Sequence, residues 1–118
     1  MPGKARCIFI ASMDVDPDKE ALFNEVYETE HIPLILKVPG VVSARRFKNE
    51  PLVMMMGGKK QTFVVPDEPK YSAVYELESP EVLLSDAFAQ AVDAGRWPTE
   101  VRPFTKNRRH TMRRLIEG

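Results

Sequence analysis

A chain of 118 residues fits a single folding unit with one ordinary hydrophobic core. Its 43% hydrophobic and 29% charged residues exclude a disordered polar chain. Seventeen basic residues cancel seventeen acidic ones, so no global field argues for nucleic acid or an anionic membrane as partner.

Residues 5–13 form a continuous β-prone run without helical periodicity and read as the first strand. Lys4 and Arg6 before CIFIASM have the outline of a signal peptide, but the apolar run is short and stops at Asp14. Cys7 is the sole cysteine, which excludes an internal disulfide and a cysteine-based zinc site. In a buried strand it acts as a small hydrophobe. No stretch approaches the roughly 20 apolar residues that cross a bilayer, and a cytoplasmic protein is expected.

Asp16-Pro17-Asp18 is a helix entry: an acidic cap, a proline suited to the first turn, and a carboxylate at the positive end of the dipole. Leu22, Phe23, Val26, Tyr27, Leu34, Ile35 and Val38 then recur at three- and four-residue intervals, the inner stripe of an amphipathic helix. Pro33 should kink it near Glu30-His31 or break it, with Pro33 opening a second segment. Backbone groups from Thr29 to His31 then need water, side chains or a ligand. Pro39-Gly40 ends the segment.

Residues 41–48 form a second strand whose alternation separates Val42, Ala44 and Arg46 from Val41, Ser43, Arg45 and Phe47. One arginine must therefore point into whatever this sheet covers. Residues 49–69 hold three prolines, Gly57-Gly58 and the apolar run Leu52-Val53-Met54-Met55-Met56, and form an inserted loop or a strand extension. Gly57-Gly58-Lys59-Lys60 lacks the spacing of a phosphate loop. Residues 70–78 alternate as a third strand. Ser79-Pro80-Glu81 repeats the cap-then-proline signal before a second helix with Leu84, Phe88, Ala91 and Val92 inward, ending at Gly95. Arg96-Trp97-Pro98 opens a connection with a short helical turn near 99–102. Residues 107–116 form a fourth strand, where Arg108, Arg109, Arg113 and Arg114 surround His110.

Strand, helix, strand, strand, helix, strand is the α+β ferredoxin-like split βαβ order (βαββαβ), one domain over 1–118 with a four-stranded antiparallel sheet. Right-handed crossovers put both helices on one face. The other face carries alternate apolar residues and is expected to be covered by a second copy, giving a homodimer.

Tyr27-Glu28-Thr29-Glu30-His31-Ile32-Pro33, then Val38-Pro39-Gly40-Val41 and Ala44-Arg45-Arg46-Phe47, resembles the dimeric α/β-barrel superfamily, and within it the EthD-like group. The motifs cover about thirty residues, and the order of elements extends the likeness over nearly the whole chain. The resemblance implies the fold, a dimer, and a cavity between each sheet and its helices. The superfamily includes cofactor-free monooxygenases, polyketide cyclases, lactone isomerases and haem-handling proteins, so function does not transfer with fold.

His31 is the candidate catalytic residue, an imidazole beside a disrupted helix and one turn from Tyr27. The alternative is that it satisfies backbone groups freed by Pro33. Tyr27, Arg46 and Trp97 are candidate substrate-binding residues; Arg46 could equally be paired structurally, and Trp97 could anchor a loop. Glu30 and His110 read as surface groups. Two distant histidines without ordered carboxylates make no metal site, and no cofactor is indicated. Three functions remain: an enzyme performing cofactor-free acid–base chemistry on a small hydrophobic or aromatic compound; a dimeric interaction protein; or a haem-type binding module with His31 or His110 as axial ligand.

Overall fold

Burial follows a period of two along the opening strand, with Cys7, Ala11, Met13 and Val15 turned to one side. The structure, a computed structural model, describes residues 4–116. Among these the strands in chain order are β1 (Cys7–Val15), β2 (Val41–Lys48), β3 (Leu52–Met56), β4 (Lys59–Phe63), β5 (Tyr71–Leu77) and β6 (Thr105–Arg114). One antiparallel sheet has the order β2-β5-β1-β6. This is the split βαβ arrangement, with the order expected from the sequence. β1 and β6 are displaced by two residues from the expected 5–13 and 107–116. The polar Asp14 does not stop the strand, because Asp14 and Val15 still pair with Lys106 and Thr105.

Asp16 does not cap a helix through its side chain. Its carbonyl accepts from Lys19 N–H (2.9 Å), opening a tight turn over Pro17–Lys19, while its carboxylate pairs with Lys106 Nζ at 3.2 Å. Helix α1 (Glu20–Val26) follows, then a widened turn over Tyr27–His31, then α2 (Ile32–Leu36). On the far side Pro80–Leu84 is again a tight turn, and the helix α3 (Asp86–Val92) starts only where Ser85 Oγ accepts from Phe88 N–H at 3.1 Å. Leu84, expected on an inner stripe, falls in that tight turn and is 84% exposed.

Phe23, Val26, Ile35, Tyr75 and Leu77 fill the space between helices and sheet. Gly40, at φ +95°, turns the chain from α2 into β2, and a Cβ there would run into Val82 Cγ2. Residues 49–69 contain a hairpin, β3 paired with β4 alone, whose Leu52-to-Met56 strand is exposed throughout.

Candidate functional site

Pro33 has no amide hydrogen for the carbonyl four residues back, and the helix answers by widening rather than breaking. Ile32 N–H donates to Tyr27 O, five residues back, and the flanking residues keep right-handed helical angles. Thr29 Oγ1 returns to Glu25 O (2.7 Å). Single wide turns of this kind recur at functional sites. Here the turn brings both Tyr27 and His31 to the inner face, each buried.

A second wide turn supplies the third ring. Trp97–Val101 closes with Arg102 N–H donating to Trp97 O. Glu30 places it: its carboxylate accepts from Arg96 N (2.9 Å) and Arg96 Nε (2.6 Å), while Arg96 also reaches Glu25 at 2.8 Å. The Arg96 backbone amide and guanidinium hold the Glu30 carboxyl below its usual range. Glu30 therefore clamps the connection that delivers Trp97 and is more than the surface carboxylate its sequence position implied. Trp97 stacks on His31 (ring centroids 4.4 Å apart, 23° between planes) and meets Tyr27 edge-on at 4.9 Å. Tyr27 and His31 meet edge-on at 5.0 Å.

These rings wall a cavity of about 210 Å³ between helices and sheet. Phe9, Ala11 and Met13 of β1 and Tyr75 of β5 form its sheet side; Ile35, Phe88 and Val92 close the helix side. Arg102, Thr105, Arg108 and His110 line it along the β6 edge. His31 is 5% exposed, and its Nδ1 has no hydrogen-bond partner. The alternative role, satisfying freed backbone groups, would have required one. Burial, with the Arg102 charge second, lowers the His31 pKa from 6.5 to about 4, so the imidazole is neutral at pH 7. Tyr75 Oη is likewise buried and unpartnered; burial and the neighbouring Tyr27 phenol raise its pKa well above the ordinary value. Burial also raises that of Tyr27.

The structure thus brings Tyr27, His31 and Trp97 to one cavity. Arg46 lies behind it. Its side chain turns to the helix side of β2 and is 15% exposed; it donates to Asn24 Oδ1 (2.7 Å) and Glu28 Oε1 (2.9 Å) and stacks over Tyr27 at 4.6 Å. It supports the Tyr27 ring from outside the cavity lining. His110, read from sequence as a surface group, is exposed on β6 and also borders the open side of the cavity, where it meets Phe9 edge-on at 5.7 Å. Tyr75, Arg102 and Arg108 were not singled out. Alternation put Tyr75 on the core face of its strand, but only the pairing of Ala11 with His110 shows which face of β6 turns inward. Among the described residues no cluster of three potential metal ligands occurs.

No family model matches the sequence, and no curated protein sequence matches it. Solved structures do. A protein of the antibiotic biosynthesis monooxygenase type from Bordetella bronchiseptica shares 17% identity, with a TM-score of 0.65 over 97% of this chain and 100% of that one. MhuD from Mycobacterium tuberculosis, a haem-degrader with two haems bound in its active site, shares 12% identity at a TM-score of 0.61, over 95% and 97% of the two chains. An ethyl tert-butyl ether (EthD) family protein from Bacillus halodurans shares 13% identity at 0.57, over 93% and 99%. At such identities the likeness establishes the fold and not the activity. The chain therefore has the ferredoxin-like α+β fold that these solved structures share.

Proposed function

We propose that this protein binds a small hydrophobic or aromatic compound in the cavity and performs cofactor-free acid–base chemistry on it, of isomerase, cyclase or monooxygenase type, with His31 as proton acceptor. One observation carries the reading: a buried, neutral imidazole on the cavity wall with an unpartnered nitrogen. At rest such an imidazole is a weak base. Its strength comes from the enolate-like charge that develops on the substrate, which an imidazolium pairs with at short range on the buried, mainly apolar side of the cavity. Trp97 and Tyr27 fix the imidazole plane, and the phenols of Tyr27 and Tyr75 offer hydrogen bonds to substrate oxygen. A suitable probe is 2-tetralone, an aromatic ketone with acidic α-protons. The protein is expected to speed its α-proton exchange into deuterium oxide, followed by NMR, and His31→Gln to lose about a hundredfold or more of that rate. An unchanged rate in the variant would end the assignment.

Haem-type binding is the alternative that the likeness to MhuD raises. The half-open cavity has a volume of about 210 Å³, below the roughly 300–1,000 Å³ of pockets for drug-sized ligands. A porphyrin is larger still, and one face of the His31 ring is covered by Trp97. The small volume and the covered face of His31 favour the first reading over this one.

The same reading includes a homodimer through the outer sheet face. Ile8, Ile10, Val74 and Phe47 share that face by register, and Phe47 is 53% exposed. Sedimentation equilibrium is expected to give twice the 13.4 kDa chain mass; a persistent single-chain mass removes the dimer. Its setting in this reading is cytoplasmic, in keeping with the single buried thiol of Cys7.

A further inference from the structure

The cavity lining is lopsided in charge. It contains two arginines, Arg102 and Arg108, and no carboxylate. Arg102 is compensated: it donates to Val92 O (2.7 Å) and pairs with Asp93 Oδ1 at 2.9 Å. Arg108 is not. Its Nε donates to Thr105 Oγ1 (3.0 Å) and an Nη to Arg102 O (3.2 Å), both neutral oxygens. Among the described residues no carboxylate lies in ion-pair contact with it. Thr105 Oγ1 is itself tied to Arg102 O at 2.7 Å, so Arg108, an exposed residue of β6, is oriented at the open rim of the cavity by a short network. Five N–H groups in a planar fork, only two of them engaged, leave donors in a geometry that suits a carboxylate.

The rest of the lining is mostly aromatic and aliphatic; its other polar groups are the imidazoles of His31 and His110, the Thr105 hydroxyl and the phenols of Tyr27 and Tyr75, none of them anionic. An oriented cation with no anion, at the open rim of a cavity without carboxylates, suits a ligand with one anionic end. We infer that the compound taken here is an aromatic acid: a planar apolar body held against the Trp97 side and a carboxylate bound by Arg108. The inference rests on the binding reading above and adds the ligand class to it. The positive field also reaches the inner wall, since the Arg102 charge contributes to holding His31 neutral.

The test uses 2-naphthoate against its neutral isostere 2-naphthamide. Binding is read by quenching of Trp97, the only tryptophan in the chain, and by calorimetry. The naphthoate is expected to bind about tenfold more tightly, the order of one charge-assisted hydrogen-bond pair at a partly exposed rim. Arg108→Gln should abolish the preference, with the loss of affinity falling mainly on the naphthoate, and Arg108→Lys should keep part of it. Lys59→Gln, the same charge change on the exposed hairpin, should leave the preference intact. Equal binding of both probes to the native protein overturns the carboxylate inference and leaves the cavity reading standing. A preference that survives Arg108→Gln, or falls equally with Lys59→Gln, also overturns it. If neither probe binds, the cavity reading fails together with the inference.

Discussion

Lowering the pH from 7 to 4 is expected to destabilise this protein by about 3 kcal/mol through His31 alone. The imidazole titrates at about 4 in the folded chain against 6.5 as its ordinary value, because burial, and then the Arg102 charge, disfavour the cation. Above pH 6.5 both folded and unfolded states hold it neutral and it adds nothing to the pH dependence. As the pH falls through 6.5 the unfolded chain takes up a proton that the folded chain refuses, and stability declines. The decline ends below about 4, where both states are protonated. Urea unfolding at stepped pH measures it. His31→Phe keeps a ring against Trp97 and removes the titration, so its stability curve should lack the slope between 6.5 and 4 that other groups do not supply. Parallel curves for the two proteins would show that His31 is not held neutral by the fold.

Trp97→Ala is expected to cost about 3–5 kcal/mol, the range for removing a large buried aromatic side chain. Trp97 is 5% exposed and packs on Phe23, Tyr27 and His31 together, so its loss joins a void to an existing cavity. A second effect separates it from a generic core deletion. Admitting water beside His31 reduces the burial that depresses its pKa, so the NMR titration of His31 should move upward toward 6.5. Trp97→Phe should retain most of the stability and the low pKa. A cost under about 1 kcal/mol for the alanine variant would mean the ring stack is not a structural element of the site.

The sheet could be read from the sequence because its signals are local. Alternation from Tyr71 to Leu77 and from Val41 to Phe47 has a period of two whatever the partners are. Tyr27, His31 and Trp97 could be named individually for their chemistry. Their meeting could not, since it depends on Glu30 reaching across to Arg96 and on two wide turns that no residue pattern specifies. Pro33 signalled trouble in the helix without saying whether the chain would kink, break or widen. For Arg46 the sequence left two readings open for the same reason. An arginine on the covered side of β2 can enter the cavity or brace Tyr27 from behind, and only Asn24 and Glu28, on another element, decide it. His110 and Arg108 are exposed and yet border the cavity, and which face of the edge strand does so is fixed by its register with β1.

The central claim is that His31 acts as a neutral base inside the cavity. The pH profile of 2-tetralone exchange tests it most directly, with folding monitored alongside by circular dichroism. The protein-catalysed rate is expected to stay level from about pH 8 to about 5, because the base must be unprotonated to act. It should fall by half near pH 4, where His31 titrates, with His31→Gln at the background rate throughout. A profile that falls at the ordinary histidine value of about 6.5, or one that His31→Gln leaves unchanged, would contradict it.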